Sequence, residues 1–421
     1  MIASNHVFSQ PTSTFELEQA AQGCWDTIVI GAGVAGAATA IHAARFGLRV
    51  LLVEAKSFPR EKVCGGCLNR RAQDAIARLG LADQLRYAGS VDLSEIHIQV
   101  HRVGFSWPIP SLLSVRRSTL DSMLVSHAIS QGACFLSNTT ATLEPIESPE
   151  DASQFESRDP IAVRLRSTRS TNSKTLSNSL AIANTVVVAC GLTRSALKPS
   201  SHWPSNIDPS SRIGVQSLVE LDRLNAGAPE LGRILQANGN RLHMIASGCG
   251  YVGICMTDGQ MVDLAAAIDP ATIKHDQPIS KSVARILLDC GIQTGTFLDS
   301  CHWIATPLLT RQSASVAKPG IFLCGDALGY IEPFTGEGMS WAFDNAENLT
   351  PLLLRCSKTP SQRIETLQKW ESYVKAHRKL RQRVCKWVAK QARHPLRSQW
   401  VLKACHWCPP FRNKILKEAI Q

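Results

Sequence analysis

The sequence predicts an α/β fold: a parallel-sheet domain, a mostly antiparallel sheet inserted into it, and a basic helical C-terminal tail. Three observations predict it. Between residues 26 and 54 an apolar run breaks at a glycine-rich turn, then resumes as a helix and a second apolar strand. From about Arg212 to Ile304 β-rich runs crowd together, as in an inserted sheet. Beyond residue 350 the chain is basic, with apolar residues at helical spacing. With 421 residues, 44% of them hydrophobic, it is long enough for two domains sharing an interface.

Residues 1–24 lack a basic stretch followed by an apolar core, so they read as a lead-in rather than a signal peptide or anchor. Asp26–Ile30, GAGVAG, Val34–Phe46 and Arg49–Glu54 then read as strand, turn, helix and strand, a Rossmann-like start. Gly31 permits the tight turn, Gly33 lets a pyrophosphate approach the backbone, and Gly36 lets the helix pack on the sheet. The helix start, with Ala35 in its first turn, offers N–H groups and a positive dipole end to phosphates. Glu54 ends the second strand 23 residues after Gly31, where its carboxylate can accept ribose hydroxyls, with Ala55 beside it.

The loop FPREKVCGGCL leads into a helix from about Asn69 to Arg78, with Gly80 as C-cap. Strands near 95–110 are candidates for the inserted sheet. A helix follows over Arg117–Gln131, then strands at Cys134–Leu136 and Ala141–Glu144. The polar stretch 147–179 reads as surface hairpin and loop, and the strand Ala183–Ala189 ends at Cys190-Gly191. The inserted block holds β-rich runs at Ile213–Leu221, His243–Met256 and Met261–Ile268, interrupted by one helix, Ser280–Asp289. The expected domains are 25–211 together with 305–350, the insert 212–304, and the tail 351–421.

The net charge of +11 sits in the tail: residues 355–421 hold seventeen Lys and Arg against three Glu, leaving about −3 for the rest. No zinc-finger, helix-turn-helix or stacking-aromatic pattern accompanies it, so nucleic acid is not an expected partner. Fourteen scattered cysteines suit a reduced, cytoplasmic protein. Cys405-His406-Trp407-Cys408 lies too far from Cys64-Gly65-Gly66-Cys67 for a zinc-ribbon pair, and no metal is expected. The tail face of Val384, Trp387, Val388, Leu396, Trp400, Ala404, Trp407 and Phe411 among Lys and Arg has two readings. One is packing on the nucleotide domain. The other is docking on an anionic membrane, peripherally on its inner face.

A second motif points to FAD. An apolar strand, Gly320–Cys324, delivers Gly325-Asp326, and Pro333 with Gly336-Glu337-Gly338-Met339 opens the next helix. Asp326 suits a ribityl hydroxyl, and the glycine backbone with a helix dipole suits an isoalloxazine edge.

On GAGVAG, EKVCGGCL, Arg117-x-x-Leu120-Asp121 and GDALGYIEPFTGEGM, the chain resembles the para-hydroxybenzoate hydroxylase-fold flavoproteins, and within them the geranylgeranyl reductase family, over about residues 25–350. The resemblance implies that Arg117 lies near the FAD phosphates or ribityl chain. It also places the Cys64–Gly65 loop beside the flavin ring, with Cys64 the catalytic candidate. A redox disulfide of Cys64 with Cys67, or a purely filling role, stays open beside that reading. The chain departs from the hydroxylases at Cys190, where they carry Asp, and from the isoprenoid reductases after Tyr251. The expected reaction is hydride transfer through flavin N5 to or from an isoprenoid-, lipid- or polyketide-like substrate. The electron donor, whether NAD(P)H, a flavin reductase or a ferredoxin, is left open. Two alternatives stand: a monooxygenase using a C4a-hydroperoxide, and a flavoprotein serving as electron-transfer or maturation partner. His243, Tyr251 and Glu337 are acid or base candidates by location alone.

Overall fold

The computed structural model describes residues 10–144, 160–168, 178–197, 203–236, 240–273, 277–332, 336–391 and 393–413, with backbone alone over 378–391. Its central sheet runs 317–318, 321–323, 178–188, 24–30, 50–53 and 134–136 in spatial order, with 139–143 and 161–167 added by antiparallel pairing. From Ile321–Leu323 to Cys134–Leu136 the strands are parallel. Val50–Val53 is buried throughout, so it reads as a continuous apolar run, as a strand covered on both faces should.

Helices Val34–Arg45, Arg117–Ser130 and Gly338–Lys358 cover this sheet, and Ile28, Ile41, Phe135, Phe322 and Phe343 fill the layer between. The expected helix start at Asn69 is a cap: its Oδ1 accepts from the Ala72 N–H at 3.1 Å, and the helix is Arg70–Arg78.

A second sheet has eight strands in the order Ile304–Leu308, Ile213–Glu220, Met261–Ile268, Gly250–Thr257, Arg241–Ser247, Val91–Val100, Val103–Ser114 and Cys67–Leu68. All its pairs are antiparallel except Arg241–Ser247 with Val91–Val100. Alternation separates its faces. Val215, Ile254 and Leu264 pack one face against Val283, Ile286 and Leu287 of the helix Ile279–Asp289. Met244, Tyr251 and Cys255 lie on the other, which looks into the cavity described below.

Three sequence expectations change. The run His243–Met256 is a hairpin bent at Gly248-Cys249. The insert contains two further helices, Leu221–Gly227 and Pro229–Gln236, which bury Leu224, Leu231 and Leu235. They are too short, and too interrupted by Gly227 and Pro229, to show a helical period. In the polar stretch 147–179, residues Ile161–Ser167 form a strand, and the one expected at Ala183 begins at Asn178.

The expected boundary at 350 falls inside the helix Gly338–Lys358, whose Leu353 and Cys356 are buried. The next helix, Arg363–Gln391, sends Trp370 into the first core, where its indole N–H donates to the Leu323 carbonyl at 3.2 Å. The last, Pro395–Trp407, lies on the second sheet through Leu402 and Cys405. Val384, Trp387 and Val388 have side chains outside the described residues. Among the described residues, no helix is long and apolar enough to cross a membrane.

Candidate functional site

Gly31 takes φ +101°, and a Cβ on Gly36 would lie 1.8 Å from the Gly31 carbonyl oxygen, so the helix meets the turn at a distance that only glycine allows. Ala35 stands against the second motif: a Cβ on Gly325 would be 2.6 Å from that of Ala35. The helix Val34–Arg45 has no side-chain cap at Gly33, which leaves its first N–H groups for a ligand. Glu54 Oε2 accepts from the Ala32 N–H at 3.0 Å, and Oε1 accepts from the Lys56 N–H at 3.2 Å. Ala55 contributes its carbonyl to Thr168 at 3.2 Å.

Two guanidiniums close over this turn. A Cβ on Gly33 would sit 3.5 Å from Arg60 and 3.7 Å from Arg117. Arg117 grips Asp121 with contacts of 2.9–3.1 Å, while Arg60 reaches Asp121 and Glu54, each at 3.3 Å. The Arg60 Nε is buried without a partner among the described residues. Burial works against the charge of Arg117, but Asp121, and then Cys64, outweigh it and hold the guanidinium above its ordinary value. Glycine backbone, free helix N–H groups and planar cations form a cradle suited to a pyrophosphate. The sequence reading missed Arg60, because a lone Arg in the FPREKVCGG loop has no visible partner.

That loop continues into the site. Lys62 Nζ meets Asp326 Oδ2 at 3.1 Å, joining the loop to the second motif. The Cys64 N–H donates to Gln216 Oε1 at 3.2 Å, and Gln216 Nε2 donates to the Cys64 carbonyl at 2.7 Å. Cys64 faces Arg117, whereas Cys67 turns to Cys255; Cys64 and Cys67 are separate thiols. Gly65 lies over Ala265. Gly336, Gly338 and Met339 line the same space, and Glu337 is buried at the head of the helix Gly338–Lys358. Pro333 lies outside the described residues.

Gly33, Ala35, Lys62, Cys64, Arg117 and Asp326 line one cavity of about 590 Å³, together with Gly336, Gly338 and Met339. It runs from Gly33 and Arg117 past Cys64 and Asp326 to Ile96, Leu112, Leu242, Met244 and Tyr251 on the second sheet. Its far half is thus apolar. His243 is not part of it: strand alternation turns it to the opposite face, 5.7 Å from the His97 ring. There burial, and then His97, push its imidazole down to about 3. Asp263, which the sequence reading passed over, does line the cavity. Its signal was an acid inside the apolar strand MVDLAAAI.

Residues 26–109 match the FAD dependent oxidoreductase family. A menaquinone reductase of Mycolicibacterium smegmatis is 38% identical over 124 residues, covering 27% of this chain and 29% of that protein. The match therefore spans less than a third of that relative. Among solved structures, a flavin-dependent brominase superposes with TM-score 0.69 at 16% identity, covering 95% of each chain. A geranylgeranyl bacteriochlorophyll reductase-like protein from Thermoplasma acidophilum does so with TM-score 0.65 at 16% identity, covering 88% of each. These likenesses share the FAD-binding fold and point to FAD as the cofactor.

Proposed function

Because the chain carries an FAD-dependent oxidoreductase domain, we propose that it transfers hydride between FAD and an isoprenoid-, quinone- or other lipid-like substrate. The observation that carries this reading is the single cavity joining the nucleotide cradle to the apolar face of the second sheet. The similarity to a menaquinone reductase over 124 residues supports it. When bound, FAD supplies a hydride donor or acceptor at N5.

In this reading the residues divide the work. Gly31, Gly33, Gly36, Arg60 and Arg117 hold the pyrophosphate, Glu54 and Ala55 bound the ribose, and Asp326 takes a ribityl hydroxyl. Gly65, Gly325, Gly336, Glu337, Gly338 and Met339 bound the ring. Cys64, fixed through its backbone by Gln216 and facing Arg117, sits where it tunes the ring's environment. Ile96, Leu112, Leu242 and Met244 exclude water from the reacting face. Steady-state turnover with dioxygen removed tests the reading: product formed at an unchanged rate supports hydride transfer, and product formed only with matching oxygen uptake replaces it with hydroxylation.

The tail brings such an enzyme to its substrate at an anionic membrane surface. Leu396, Trp400, Lys403 and Trp407 form one stripe of the helix Pro395–Trp407, with Leu396, Trp400 and Trp407 exposed by 75%, 73% and 81%. The opposite stripe, Ser398, Leu402 and Cys405, is buried against the sheet that lines the cavity.

A further inference from the structure

We propose that Asp263 is the proton donor to the substrate in the apolar half of the cavity. The proposal rests on the hydride-transfer reading and names the acid which that reading needs. Asp263 lies on the cavity face of the strand Met261–Ile268, opposite Cys255 on one side and Leu218 on the other. It is 2% exposed. Gln216 Nε2 donates to both of its oxygens, at 2.9 and 2.8 Å, and the same amide holds the Cys64 carbonyl. The 64–66 loop and the carboxyl are thus fixed by one side chain. Gly66, at φ +63°, brings the loop onto the acid, since a Cβ there would lie 3.4 Å from Asp263 Oδ2.

No ion pair to Asp263 is present among the described residues. Asp121, the buried acid of the cradle, by contrast faces two guanidiniums, those of Arg60 and Arg117. The ionisable groups around Asp263 are Glu61 and Asp258, which oppose its charge, Arg116, which favours it, and the thiols Cys67 and Cys255. Burial dominates and pushes the carboxyl up to about 7; the Gln216 hydrogen bond acts in the opposite sense. A carboxylic acid that keeps its proton to neutral pH inside an apolar cavity is suited to general-acid work.

Reduced flavin gives a hydride to one carbon of a substrate double bond, and the Asp263 hydroxyl gives its proton to the other. The π bond is lost, two C–H bonds form, the flavin ends oxidised, and the carboxylate regains a proton from water.

The test has two arms. In the first, FAD-loaded protein reduced with dithionite is mixed anaerobically with menaquinone or geranylgeranyl diphosphate across pH 5–9. The wild-type rate should fall as pH rises through about 7, and Asp263→Asn should be slower by at least about 10²-fold with that inflection gone. Gln216→Leu should move the inflection upward. In the second arm, infrared difference spectra of the oxidised protein should show a protonated carboxyl that titrates near pH 7 and is absent from Asp263→Asn. An Asp263→Asn rate and pH profile equal to wild type, or an Asp263 already ionised at pH 5, overturns the proposal alone. A wild-type protein that passes no electrons to either acceptor without dioxygen overturns the hydride-transfer reading instead.

Discussion

Asp263 and His243 are both buried with no ion pair among the described residues, and they give the stability of the protein opposite pH dependences. The folded-state pKa of Asp263, about 7, lies above its ordinary 3.8. Its contribution is therefore complete below pH 4 and is lost as pH rises through 7. Asp263→Asn should flatten that fall, by on the order of 2 kcal/mol in urea titrations compared at pH 5 and 8. His243 is lowered from 6.5 to about 3. Its contribution is present above 6.5 and is lost as pH falls toward 3, so His243→Leu should unfold less readily than wild type at pH 4 and no less readily at pH 8. Arg60→Met leaves Asp121 bonded to Arg117 and Glu54 bonded to the Ala32 N–H. It should weaken FAD binding about 10–100-fold in titrations of the apo-protein, the worth of one charge-assisted contact. The glycines of the cradle were legible because their spacing encodes geometry. Arg60, Gln216 and Asp263 were not, because each depends on a partner far along the chain: Arg60 on Asp121, Gln216 on Cys64, and Asp263 on Gln216.

At the scale of elements, the first strand, turn and helix were readable within two residues, since period and glycine placement are local. The second sheet was readable as β-rich, but its order was not. Strands from 91 to 114 join it by pairing Val91–Val100 parallel with Arg241–Ser247, a contact that nothing in either segment announces. The turn–helix junction is the least tolerant element. Gly36→Ala should cost at least about 3 kcal/mol, because its Cβ would meet backbone rather than a movable side chain. Thermal unfolding without added FAD measures this directly. A loss below 1 kcal/mol would show that the helix can withdraw from the turn.

For the molecule as a whole, the tail packs on the rest of the chain along one side and leaves an apolar stripe exposed along the other. Trp370, Leu402 and Cys405 pack inward, while Leu396, Trp400 and Trp407 face out. A truncation at Pro351 would cut a helix that buries Leu353 and Cys356, so point substitutions are the cleaner probe. Replacing Leu396, Trp400 and Trp407 together by Ser should abolish sedimentation with phosphatidylserine vesicles while leaving FAD content unchanged. Wild-type protein that stays in the supernatant at low salt would rule out docking of the tail on an anionic membrane. If one cavity lets reduced FAD reach an apolar acceptor, electrons must pass without dioxygen, which anaerobic single turnover measures. Photoreduced enzyme mixed with menaquinone in the absence of dioxygen should regain its 450 nm flavin absorbance with a rate that saturates in quinone. Recovery only on admitting air would contradict it.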